Sequence, residues 1–148
     1  MAIDAVYTEL ITEHSRDKRN RRHVEGATHS RRGVNPSCGD ELTLEMRVRE
    51  GIIEDAAFTG SGCAISQASA SMMADLLRGR SVAEADRLTE KFLGMIKGEI
   101  TEEAEFAELD EAAALQGVSK MPARVKCAVL PWHTYISAIE ERESDSKQ

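Results

Sequence analysis

Residues 41–48, ELTLEMRV, alternate without a break. Leu42, Leu44, Met46 and Val48 fall on one side of the chain, while Glu41, Thr43, Glu45 and Arg47 fall on the other. A repeat of two belongs to an extended strand; a helix would scatter those four apolar side chains around its axis. The stretch is therefore a half-buried antiparallel strand, with one face on a core and the other in water. REGIIEDAAF continues it with a turn at Glu50 and Gly51 and a second strand reaching Phe58, so the two form a hairpin. Upstream, GATHSRRGVNP supplies an edge strand that ends at Pro36.

Beyond Phe58 the repeat changes. In TGSGCAISQASASMMADLLRGR, Gly60 and Gly62 break the strand. From Cys63, the residues Ile65, Met72, Met73, Leu76 and Leu77 keep helical spacing to an end near Gly79. The alanines and serines between 64 and 71 permit close packing on the sheet. Ser81 reads as the N-cap of a helix reaching about Lys97, with Val82, Leu88, Phe92 and Met95 or Ile96 inward. A shorter helix is expected over residues 103–115, stopping at Gly117. Pro122 opens a last helix carrying Val125, Val129, Trp132, Ile136 and Ile139; Pro131 should kink or split it, and the tail ERESDSKQ should fray. Near the N-terminus, Val6, Leu10 and Ile11 share one helical face. Strands precede most helices rather than alternating with them. The class is α+β, a small antiparallel sheet of about three strands packed against several helices.

The 148 residues fit one domain, 1–148. No apolar run approaches the ~18 residues of a membrane span. MAIDAVYTELITEH is too acidic and amphipathic for a signal peptide, which places the protein in the cytoplasm and off the membrane. A net charge of -7 argues against a general nucleic-acid binder. Against that average stands RDKRNRRH, residues 16–23, with Arg31 and Arg32 further on; the run is either a solvated helix end or a docking patch. His14, His23, His29 and His133 lack an HxxH or HExxH pairing and read as surface histidines. Trp132, Tyr135, Met72 and Met73 read as packing residues.

The cysteines are Cys38, Cys63 and Cys127, an odd number that argues against a disulfide framework in a reducing compartment. Each sits at the edge of an element. Cys38 is on the turn before the first hairpin strand, and Cys127 is near the start of the last helix. Cys63 opens a helix, where first-turn N–H groups favour a thiolate. With Asp40 they make three thiolates and one carboxylate, a sound donor set for tetrahedral zinc. No CxxC pair is present, so the spacing leaves metal ligands and ordinary buried thiols both open.

Three motifs in order, NPSCGD, FTGSGCAISQASASMM and MPARVKCAVLPW, resemble the SufU-type branch of the IscU/NifU N-terminal family of iron–sulfur cluster assembly proteins. The resemblance runs over residues 6–140 and implies a SufE/NifU-like fold. Cys38, Asp40, Cys63 and Cys127 match the family's ligand positions one by one. Lys126 stands where IscU-type cluster scaffolds have a histidine, as it does in SufU-type proteins. Residues 97–117 match the extra segment of the SufU branch. Arg124 matches an arginine of that branch implicated in handling the zinc site with the desulfurase. Two departures stand out: the basic run after His14 replaces a Pro- and Gly-containing segment, and Pro131 sits where helix formers are usual.

The resemblance implies a zinc-dependent sulfurtransferase. It would accept persulfide sulfur from a SufS-type, pyridoxal-phosphate-dependent cysteine desulfurase and pass it toward a downstream cluster-assembly scaffold. Zn2+ would rest on Cys38, Asp40, Cys63 and Cys127, with Arg124 joining Cys38 in the chemistry. Cys38, on a turn beside Gly39, is the expected acceptor; Cys63 and Cys127, held by helices, are the expected anchors. One alternative is a scaffold on which the same four residues hold an iron–sulfur cluster; Lys126 favours the transferase. A purely structural zinc domain is the third reading.

Overall fold

The computed structural model describes residues 5–16, 18–36, 39–99 and 106–146. Three antiparallel strands, β1 (His29–Asn35), β2 (Asp40–Arg49) and β3 (Ile52–Ser61), lie in the order β1-β2-β3. The expected alternation holds along β2. Leu42, Leu44 and Met46 are 3%, 1% and 0% exposed, and Val48 is partly buried against them. Leu42, Leu44 and Met46 each contribute roughly 1.5–3 kcal/mol by leaving water. Leu42 pairs with Gly60 and Leu44 with Phe58. The register slips between Arg47 and Val48, leaving Glu54 as the extra residue of β3. Gly60 has φ 135°, and a Cβ there would run into the Glu41 carbonyl and the Leu42 Cα, so the close strand approach admits only glycine.

Among the described residues there are four α-helices, α1 (Ala5–Arg16), α2 (Ala64–Leu77), α3 (Val82–Ile96) and α4 (Pro122–Ser146), of which α2 and α4 pack on the sheet. α2 is the central one, in contact with α1, α4 and β3. Its small residues Ala68, Ser69, Ala70 and Ser71 are all buried, which lets neighbouring helices approach closely. Ser81 caps α3 as expected, its hydroxyl accepting from the Glu84 N–H at 3.1 Å. Leu88, Phe92, Met95 and Ile96 are buried, and Phe92 stacks on Trp132 with ring centroids 4.0 Å apart.

Several expectations need correction. The short α-helix is instead a 3-10 helix, Ala107–Lys120, which passes through Gly117 and is interrupted at Asp110 (φ 51°, ψ -129°). Residues 100–105, its expected start, lie outside the described residues. α4 runs on through Pro131 rather than splitting, and extends to Ser146 in the tail expected to fray. His14 is a buried joint rather than a surface residue. It is 4% exposed, with Nδ1 2.9 Å from Ser71 Oγ and Nε2 2.6 Å from Glu111 Oε1. The basic run is partly spent on the chain itself. Arg22 donates two 2.8 Å bonds to Asp55, Arg19 lies 3.6 Å from Asp75, and Arg21 bonds the Ser15 carbonyl.

Candidate metal centre

Asp40 is the first residue of β2 and has the parity of Leu42, Leu44 and Met46, so its side chain turns inward and is 1% exposed. A carboxylate buried this far needs donors. One is the Cys63 amide, whose N–H donates to Asp40 Oδ1 at 2.9 Å. Cys63 is the N-cap residue of α2, and its own side chain makes no capping bond. A neighbouring strand therefore supplies the oxygen that satisfies the helix start, where the helix dipole also favours negative charge.

The other carboxylate oxygen, Oδ2, faces Cys63 Sγ at 4.0 Å. Cys127, 1% exposed, arrives from the second turn of α4. An Asp40 oxygen and the sulfurs of Cys63 and Cys127 all lie within 4.8 Å of one another, and the two cysteines share no disulfide. Ligands about 2.0–2.3 Å from a tetrahedral zinc stand roughly 3.5 Å apart. The Asp40–Cys63 pair thus needs a contraction of a few tenths of an ångström to hold such an ion, with Cys127 Sγ within 4.8 Å of both donors. Two sulfurs and one oxygen also suit zinc chemically. Cys38, the fourth predicted ligand, lies outside the described residues. Its flanks are held: Asn35 pairs with Asp40, and the Gly39 N–H donates to the Asn35 carbonyl at 3.0 Å.

Arg124 is exposed on the first turn of α4, three residues before Cys127, and Lys126 is exposed beside that cysteine. The run of residues 121–132 contains no carboxylate, so the approach along α4 is positive.

Sequence reasoning missed Gly62 and Ser66. A Cβ on Gly62 would lie 2.5 Å from both Asp40 Oδ1 and Ser66 Oγ, so the bare backbone leaves the carboxylate its place. Ser66, 3% exposed, donates to the Cys63 carbonyl at 3.1 Å and steadies the same turn. A glycine directly before a candidate ligand was the signal available.

His14, Asp75 and Glu111 form a second convergence of donor atoms within 4.8 Å. Cationic and amide groups already occupy Asp75: Arg78 at 3.2 Å, Asn20 at 3.0 Å and Arg19 at 3.6 Å. This cluster acts as a polar joint between α1, α2 and the 3-10 helix.

The NifU-like N-terminal domain family matches residues 6–128. The iron–sulfur cluster assembly scaffold protein IscU of Thermotoga maritima is 38% identical over 141 residues, covering 95% of this chain and 97% of that protein. The zinc-dependent sulfurtransferase SufU of Bacillus subtilis is 37% identical over 144 residues, covering 95% and 94%. Among solved structures, a proposed iron–sulfur cluster assembly scaffold for the SUF system from Fervidobacterium islandicum superposes with a TM-score of 0.79 at 34% identity, over 90% of this chain and 96% of that one.

Proposed function

The chain belongs to the NifU-like N-terminal domain family, and on that footing we propose that it works as one domain and as a zinc-dependent sulfurtransferase. It accepts persulfide sulfur from a SufS-type, pyridoxal-phosphate-dependent cysteine desulfurase and hands it toward a downstream cluster-assembly scaffold. The observation that carries this reading is the meeting of Asp40, Cys63 and Cys127 within 4.8 Å, drawn from three different elements.

Zinc bound by these residues and Cys38 would keep the thiols as thiolates at neutral pH, where a free thiol with a pKa of ~8.5 is mostly protonated. The chain's own residues divide the remaining tasks. Cys63 and Cys127 are anchors, fixed by α2 and α4. Asp40 has one oxygen committed to the Cys63 amide and offers a single hard donor among sulfurs, which makes it the weakest-matched ligand. Cys38 is the acceptor. Its thiolate attacks the outer sulfur of the desulfurase persulfide, the donor's S–S bond breaks, and the electron pair leaves on the desulfurase cysteine as a thiolate. Arg124 and Lys126 provide positive charge where the partner's thiolate and acidic rim would approach. A reducing cytoplasm suits this thiol chemistry.

The name of the Thermotoga relative supports a second reading, a scaffold that carries the cluster itself. Lys126, exposed and cationic beside Cys127, is a poor substitute for the imidazole at that position in IscU-type scaffolds.

Metal content separates the two. The sulfurtransferase should purify in air colourless with about one zinc per chain. It should also gain one sulfur on incubation with the desulfurase and cysteine. Its melting midpoint should fall steeply on chelation, since structural zinc can contribute on the order of 10 kcal/mol. Brown protein holding iron and labile sulfide would favour the scaffold, and an unchanged midpoint after zinc loss would remove the metal from the fold's stability altogether.

A further inference from the structure

Cys63 and Cys127 sit on separate helices, so the gap between their sulfurs depends on how α4 is registered against α2. We infer that Ser69 is the positioning residue that sets this register and, through it, the metal-binding geometry. The inference rests on the proposed zinc site.

Ser69 lies six residues into the helix after Cys63, roughly 9 Å along α2, and is 0% exposed. Its hydroxyl donates to the carbonyl of Ala128, the neighbour of Cys127, at 2.6 Å. It also accepts from the indole Nε1–H of Trp132, one turn further along α4, at 2.9 Å. One hydroxyl thus spends its proton and a lone pair on two consecutive turns of the opposite helix. Sliding α4 along α2 by a fraction of a turn breaks both bonds together. The indole is itself fixed from behind, stacked on Phe92 of α3 with ring planes 11° apart.

The turn that carries Cys127 has a particular need for such a tie. Pro131 has no N–H, so it cannot donate the usual helical bond to the carbonyl of Cys127. Ser69 grips the chain one residue later. Around Ser69, the buried Ala68 and Ala70 of α2 are small apolar side chains that offer no directional bond of their own.

Outer residues that orient metal ligands typically change affinity 10–100-fold when altered. Zinc affinity by chelator competition and the absorption spectrum of the Co2+-substituted protein report the site without any sulfur transfer. Ser69→Ala should weaken zinc by about tenfold or more and shift the cobalt bands. Ile53→Val, a core trim on β3 beside the turn that ends α2, at the far end of that helix from Cys63, should lower the melting midpoint while leaving both readouts unchanged. Trp132→Phe keeps an aromatic ring on Phe92 but removes the N–H that orients the hydroxyl. It should weaken zinc severalfold in the same direction, and it carries the test if Ser69→Ala does not fold. Wild-type affinity and cobalt bands in the folded Ser69→Ala protein, or in Trp132→Phe where that variant stands in, would overturn the inference. So would a loss of affinity in Ile53→Val equal to that in Ser69→Ala. A wild-type protein that bound neither Zn2+ nor Co2+ would instead overturn the proposed metal site.

Discussion

Asp40 and Cys63 are tied by a 2.9 Å bond from the Cys63 amide to Asp40 Oδ1, which couples the first residue of β2 to the start of α2. The carboxylate therefore has two jobs, capping a helix with one oxygen and facing Cys63 Sγ with the other. Asp40→Asn keeps an oxygen for the cap but removes the charge. Asp40→Ala removes both. Zinc affinity should fall in each variant. With chelator present, only Asp40→Ala should lose stability, by about 1 kcal/mol, the usual worth of a cap. Urea midpoints with and without chelator check this; equal losses in the two variants would show that the cap bond is idle.

Gly62 offers a steric probe of the same carboxylate. Gly62→Ala places a methyl 2.5 Å from Asp40 Oδ1 and Ser66 Oγ, so one of them must move. Overpacking of this kind costs about 1–3 kcal/mol. The variant should melt lower and bind zinc more weakly, whereas a Gly39→Ala control, with open space around the added methyl, should suffer only backbone strain. Zinc competition on both proteins is the measurement, and equal zinc affinity in the two would refute a steric role for Gly62.

The Arg22–Asp55 pair gives a pH signature far from the metal. The two-pronged bond from Arg22 holds the Asp55 carboxyl far below the usual carboxylate range, against burial that pushes it up, with the Ala56 amide and Arg78 assisting. A carboxylate whose folded pKa is depressed stabilises the fold above its unfolded pKa of ~3.9 and loses that contribution as pH falls toward the folded value. Asp55→Asn should melt a few degrees lower than wild type at pH 7, on the order of 1 kcal/mol in stability. The gap should narrow steadily below about pH 4. Both proteins shed metal alike in acid, so the difference between them isolates the pair. A gap that stayed constant from pH 7 to pH 3 would exclude this linkage.

Much of the fold was legible because its signals are local. The alternation of Leu42, Leu44 and Met46 announced β2, and the structure extends that parity back to Asp40, whose side chain is buried with theirs. Ser81 marked a helix start, and its hydroxyl caps the Glu84 N–H there. The 3-10 helix was also written in the chain, in a less familiar repeat. Phe106, Leu109, Ala112, Leu115 and Val118 are spaced by three and all buried, the period of a helix with three residues per turn. The α-helix expected over residues 103–115 gives way to that stripe, whose burial on one face asks for three residues per turn. His14 was illegible for a different reason. Its partners, Ser71 and Glu111, lie 57 and 97 residues away, and no local pattern encodes such a meeting. The Ser69–Trp132 bond, 63 residues apart, was hidden in the same way.

The cysteines separate a braced fold from a working site. If zinc only braces the fold, serine at any of the three positions should damage stability and sulfur acceptance in proportion. Two of the three are placed on helices by the structure. Cys127 is 1% exposed on α4, and Cys63 opens α2 with its amide on Asp40, so each thiol belongs to a rigid element. Cys38 lies outside the described residues; in the sequence it stands directly before Gly39. Cys63→Ser and Cys127→Ser should therefore lose zinc and several degrees of melting temperature first, with sulfur acceptance failing as a consequence. Cys38→Ser should retain most of the fold, because serine or water can fill a fourth position weakly. It should nevertheless accept no sulfur, since no thiolate remains at that position to attack the persulfide. Zinc content, melting temperature and the mass of each variant after incubation with desulfurase and cysteine give the three readouts together. A Cys38→Ser protein that still gained sulfur, or a wild type carrying its added sulfur on Cys127, would transfer the acceptor role to another residue.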